Sequence, residues 1–150
     1  MLTNDILNAL KGYTANMQKD ITFVLQAGEH AKRQELRDFL TMIASVSDRL
    51  SLEERDTASL RSPISFLLEV GGADSGVRFS GIPGGHEFNS LVLAILHLSG
   101  TPIKLDDTLR SMIAGITDKL DFQVYVSLSC HNCPDVVQSL NQFAAINDCI

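Results

Sequence analysis

The sequence predicts an α/β fold, and three observations carry that prediction. Short β-branched or aromatic runs, such as Ile21 to Leu25 and Ile64 to Val70, alternate with longer stretches whose apolar residues recur at helical spacing. Near the end, the run Phe122-Gln-Val-Tyr-Val-Ser-Leu-Ser129 gives way to Cys130-His131-Asn132-Cys133-Pro134. A helix-period pattern then begins at Asp135 and runs to Phe143. Finally, the chain echoes itself: shifted by 101 positions, Asp20 to Leu25 falls on Asp121 to Val126.

Taken in order, Leu2, Ile6, Leu10, Tyr13 and Met17 predict an opening amphipathic helix. Ile21 to Leu25 is a strand, broken at Gly28. A second helix runs from about Ala31, with Leu36, Phe39, Leu40 and Ile43 on one face. The polar segment Ser51 to Ser62 holds a short strand or a turn. Ile64 to Val70 is apolar almost throughout, as a central strand requires. Gly71-Gly-Ala-Asp-Ser-Gly76 reads as the turn joining it to a hairpin strand, Val77 to Ser80. Gly81 to Gly85 leads into a helix from Glu87 to Leu98, stopped by Gly100 and Pro102. One further helix, with Leu105, Leu109, Met112, Ile113 and Ile116, precedes the strand that carries the cysteines. Strand, helix, weak strand, strand, hairpin strand, helix is the order of a thioredoxin-like core.

The echo points to a tandem of two such folds. Beyond the strands, Leu36, Phe39, Met42 and Ala44 fall on Val137, Leu140, Phe143 and Ala145, and His30 falls on His131. Glu29 and Lys32 stand where the second copy has Cys130 and Cys133. We therefore expect a complete first fold without cysteines over residues 1–117, and over 118–150 the start of a second, truncated after one strand and the dithiol helix. One strand and one helix cannot bury enough apolar surface to stand alone. Either the chain is a fragment of a longer protein, or this unit docks on the first copy or on another chain.

A strand delivering C-x-x-C to a helix N-terminus is how a reversible dithiol is built. The free N–H groups of the first turn and the positive end of the helix dipole stabilise a thiolate at Cys130, the attacking sulfur. Cys133, one turn on, is its resolving partner and the more buried thiol. Pro134 is tolerated in a first turn. His131 lies between the sulfurs, where an imidazole adds positive charge. A zinc site would need two more ligands, and the chain offers Cys149 and scattered histidines without a second C-x-x-C. Haem attachment needs His after the second Cys, where Pro134 stands. Two inert cysteines fit poorly with the polar pair between them. No metal is expected. Cys149 reads as a small buried apolar residue.

A formal net charge of −6 without a basic cluster argues against a nucleic-acid partner. The longest apolar stretch, Leu91 to Leu98, is too short to span a bilayer. The start shows no basic, cleavable leader, and an odd number of cysteines does not describe a secreted disulfide framework. A cytoplasmic protein follows.

The stretch Ser127-Leu-Ser-Cys-His-Asn-Cys-Pro-Asp-Val-Val-Gln138 resembles the N-terminal dithiol segment of the flavoprotein subunit of bacterial alkyl hydroperoxide reductase. Arg78-Phe-Ser-Gly-Ile-Pro-Gly-Gly-His-Glu-Phe88, with Ser90-Leu-Val-Leu-Ala94 after it, is similar to the same family's first, cysteine-free fold. The resemblance covers essentially the whole chain, most weakly around Ser51 to Arg61. It implies a tandem thioredoxin-like module that takes electrons from a C-terminal FAD and NADH domain. It passes them to the disulfide of a peroxiredoxin that removes reactive oxygen species, and leaves room for a homodimer. This chain has no G-x-G-x-x-G fingerprint, so it would itself bind no cofactor. By resemblance, Cys130 and Cys133 are catalytic and Glu87 is a modulator, with His131 a second modulator by its place between the sulfurs. Glu87 would be the first-fold carboxylate near the disulfide, or simply a first-turn helix residue stabilised by the dipole. His86 reads as a loop or cap residue. The competing function is a non-catalytic thioredoxin-like adaptor.

Overall fold

The computed structural model describes residues 2–150 and builds them around a four-stranded sheet. Helix α1 (Asn4–Thr14) starts at Thr3, whose hydroxyl accepts a hydrogen bond from the Ile6 N–H. Strand β1 (Ile21–Gln26), helix α2 (Arg33–Ala44) and strand β2 (Leu50–Arg55) form a parallel unit with Ile21 opposite Leu50. Arg33 and Arg37 of α2 both pair with Glu54 of β2. Strands β3 (Ser65–Val70) and β4 (Ala73–Ser80) complete the sheet in the order β2-β1-β3-β4, with β3 antiparallel to both neighbours.

The central strands β1 and β3 are buried on both faces, which is why they read as apolar runs. Ile21, Phe23, Leu25, Phe66 and Leu68 enter the main core beside Leu10 of α1 and Leu36 and Leu40 of α2. The intervening Val24 and Leu67 meet Leu60 on the opposite face. Burying each such side chain stabilises the fold by about 1.5–3 kcal/mol. Edge strand β2 buries only Leu50 fully, so its sequence is polar and lacks the apolar run that marks β1 and β3.

The hairpin turn is tighter than the six residues expected. Only Gly71-Gly72 turn, at φ 57° and 87°, and Ala73 already pairs with Val70. Two-residue primed turns need positive φ, which glycine adopts freely. A register shift between Leu67 and Glu69 absorbs the extra residues of β4. Helix α3 (Phe88–Leu98) is preceded by a 3-10 turn, Gly85–Glu87. Helix α4 (Asp107–Ala114) is capped by Asp106, whose carboxylate accepts the Leu109 N–H at 2.9 Å. It buries Ile113 but leaves Leu109 and Met112 exposed. Helix α5 (Cys133–Ile146) packs on α3 and β4 and adds Ala144 to the main core.

The strand expected before the cysteines does not form. Residues 121–127 take no regular structure and join no ladder among the described residues, and Tyr125 is 78% exposed. A strand needs a neighbour, and no described strand pairs with this run. The echo therefore holds for the helix and fails for the sheet: α2 shifted by 101 positions lands on α5, whereas β1 lands on an unpaired run.

Candidate functional site

Cys130 and Cys133 are joined as a disulfide, with Cα atoms 5.5 Å apart, inside the span that such bridges use. Helix α5 opens at Cys133 with Pro134 directly behind it, where a missing N–H costs nothing. Cys130 stands just outside the helix, in a turn closed by its own N–H on the Ser127 carbonyl at 2.9 Å. The free N–H of Cys133 donates to Cys130 Sγ at 3.2 Å. That donor, with the dipole behind it, favours negative charge on this sulfur. Both cysteines are half-buried, so the expected contrast in burial is not seen.

The dithiol loop is held from the first fold. The His86 N–H donates to the Leu128 carbonyl at 3.2 Å, and the His86 ring lies against that of His131, centroids 4.5 Å apart and planes tilted by 55°. Gly85, at φ 54°, lets the chains approach this closely: a Cβ there would lie 2.8 Å from the Leu128 carbonyl oxygen. Gln138 of α5 donates to Ser90 of α3 at 3.3 Å. Upstream, Arg61 donates to the Tyr125 hydroxyl and to Gln123, each at 3.4 Å. Sequence reasoning placed His131 in the site and His86 outside it. The signal in the sequence is Gly85, since a glycine beside a turn marks close backbone approach.

Glu87 follows His86 in that turn. It is 3% exposed, makes no side-chain cap to α3, and both its carboxylate oxygens lack a hydrogen-bond partner among the described residues. Burying an unpaired carboxyl costs stability, so a helix start alone does not explain it. Cys149 is free and only half-buried, with its sulfur 3.7 Å from the Thr117 carbonyl. Among the described residues, no three His, Cys, Asp or Glu side chains are placed to hold a metal ion. No helix among them is long and apolar enough to cross a membrane.

No family model matches the chain. It is 40% identical to the F subunit of alkyl hydroperoxide reductase from Escherichia coli over 147 residues, which are 98% of this chain and 28% of that protein. The corresponding protein of Staphylococcus aureus is 43% identical over the same extent. The chain thus spans little more than a quarter of the length of these relatives. Among solved structures, the N-terminal domain of alkylhydroperoxide reductase AhpF from Enterococcus faecalis matches at a TM-score of 0.86 and 30% identity, over 99% of this chain and 76% of that one. A protein disulfide oxidoreductase from Aeropyrum pernix matches at a TM-score of 0.78 and 21% identity, over 97% and 69% of the two chains, which speaks for the thioredoxin-like fold alone. By its identity to the solved N-terminal domain and its cover of it, this chain belongs to the AhpF family of alkyl hydroperoxide reductases.

Proposed function

We propose that this chain is the dithiol relay of an AhpF-type alkyl hydroperoxide reductase, carrying electrons from a flavin domain to the disulfide of a peroxiredoxin. The observation that carries the reading is the Cys130–Cys133 pair at the N-terminus of α5, with the Cys133 N–H aimed at Cys130 Sγ. In the reduced form, the Cys130 thiolate attacks one sulfur of the peroxiredoxin disulfide, whose other sulfur leaves as a thiolate and takes up a proton. The Cys133 thiolate then attacks Cys130 Sγ, which breaks the mixed disulfide and closes Cys130–Cys133. Two electrons have passed to the peroxiredoxin, and its two thiols are free. The donor N–H and helix dipole favour the thiolate in the first step, and the turn spacing of the cysteines brings about the second.

Flavin and NADH would belong to the part of such a protein beyond the length matched here, since this sequence has no dinucleotide fingerprint to hold them. No step within this chain passes through either. A cytoplasmic setting suits a dithiol that must be reduced again in every cycle. We place the division of the chain at 117/118, with the first unit as scaffold and the second as carrier of the sulfurs.

The test is to mix the reduced chain with a bacterial peroxiredoxin in its disulfide form, quench with acid and count tagged thiols by mass. One peroxiredoxin disulfide should open per chain as Cys130–Cys133 closes, with Cys149 untouched. Cys133→Ser should accumulate a mixed disulfide through Cys130, and Cys130→Ser should abolish transfer. Docking without transfer would favour the adaptor reading instead.

Glu87, buried and unpaired in the turn that touches the dithiol loop, is proposed as a modulator. Its carboxylate disfavours a second negative charge nearby. Glu87→Gln should then speed alkylation of Cys130 at neutral pH in a Cys133→Ser background. An unchanged rate would leave Glu87 a purely structural role.

A further inference from the structure

We propose that His86 is a positioning residue for the dithiol, through which the cysteine-free fold holds the loop that carries Cys130. The inference rests on the redox reading above and names a residue that this reading does not use. His131 stands between the two sulfurs, in a stretch that belongs neither to α5 nor to the sheet. Two contacts reach this loop from the first fold within one turn: the His86 ring against His131, and the His86 N–H on the Leu128 carbonyl. Both rings are solvent-exposed, so core packing does not force them together. Gly85 leaves the space that the approach requires.

The physical consequence concerns the reduced state. Once the disulfide opens, the loop from Leu128 to Asn132 is free to wander, and the chance of Cys130 lying beside Cys133 falls. A contact that holds His131 in place keeps the two thiols near each other and raises their effective concentration. The disulfide is thereby favoured over the dithiol, and the reduction potential is held low. Removing the His86 ring should lower the equilibrium constant for closing Cys130–Cys133 and move the potential upward.

The experiment equilibrates the full chain with graded ratios of glutathione and glutathione disulfide, followed by alkylation and mass counting of free thiols. In this equilibrium, two glutathione thiols form for every Cys130–Cys133 bond closed, so electrons and protons balance. His86→Ala should reduce the closing constant up to about tenfold, which is ~30 mV for a two-electron couple. His86→Phe should restore it, because a ring is kept and only the imidazole is lost. His131→Ala, on the other side of the contact, should shift the constant as His86→Ala does, and the double variant should shift it no further than either single one. An unmoved His86→Ala midpoint, an equal shift in His86→Phe, or additive shifts in the double variant would each overturn the role of His86. A wild-type disulfide that excess dithiothreitol cannot open would instead overturn the redox reading itself, and this proposal with it.

Discussion

His97 lies on the last turn of α3, half-buried, and burial lowers its pKa from the ordinary 6.5 because the charged imidazolium is poorly solvated there. The sign of the pH effect follows. Between the lowered folded value and the unfolded one, the unfolded chain binds more protons, so stability rises with pH through that window. It is complete above about 6.5 and is lost as the solution is acidified below it. Thermal melts from pH 7.5 to 5 should show the wild-type midpoint falling below about pH 6.5, and a His97→Gln variant falling less. Parallel curves would assign the acid sensitivity elsewhere. At this scale the pairing of Cys130 with Cys133 ahead of a helix is legible, because C-x-x-C and that helix are neighbours in sequence, whereas the missing strand and the equal burial of the two sulfurs are not. Nor is His86, because its partners His131 and Leu128 lie in another unit and no local pattern announces such a contact. Glu87 is read only by resemblance; its burial without a partner is a product of tertiary packing that no local pattern encodes.

Elements with a long, consistent period were read well: β1, β3, α2, α3 and α5 lie within a few residues of their expected bounds. Misreadings arose where pairing or packing decides. The run 121–127 has every local mark of a strand and lacks a ladder, because a strand is a property of two segments. Helix α4 has an amphipathic pattern but buries a single residue, and its anchor is polar. Asn147, just past α5, donates both side-chain hydrogens to the carbonyls of Ile113 and Ile116, at 2.7 and 2.8 Å. Ile113 is in the last turn of α4 and Ile116 lies just past it, where backbone acceptors run short of helix donors. The Asn147 side-chain oxygen accepts from the Cys149 N–H at 2.8 Å, so one buried amide ties α4, α5 and the chain end together. Asn147→Ala removes the side-chain donor from both carbonyls, of which Ile113 keeps the Ile116 N–H at 3.2 Å, and should cost about 1–3 kcal/mol, read as a lower urea midpoint. Hydrogen exchange should locate the loss at residues 107–120. A variant with wild-type exchange there would mean that water replaces the amide without penalty.

Across the whole molecule, the two units of the proposed division at 117/118 would differ in what each can do alone. The first contains all four strands with α1, α2 and α3, and its sheet is paired from β2 to β4. The second owns one helix of 14 residues and an unpaired run, too little to fold in isolation. Helix α5 is ordered by docking on α3 and β4, with Ala144 sunk in the main core at 7% exposure. The dependence is therefore one-sided, and a charge at Ala144 should expose it. Ala144→Glu places an unpaired carboxylate in that contact, a penalty of about 3–5 kcal/mol against a total stability of ~5–15 kcal/mol. The cheapest escape is for α5 to detach. Hydrogen exchange followed by mass spectrometry should then show residues 118–150 losing protection while the amides of β1 and β3 keep theirs. Glutathione should also open the Cys130–Cys133 bridge more readily than in the wild type, because the detached loop has lost both His86 contacts. Loss of protection in the sheet at the same rate as in α5 would show one cooperative unit, and would remove the energetic basis for dividing the chain at 117/118.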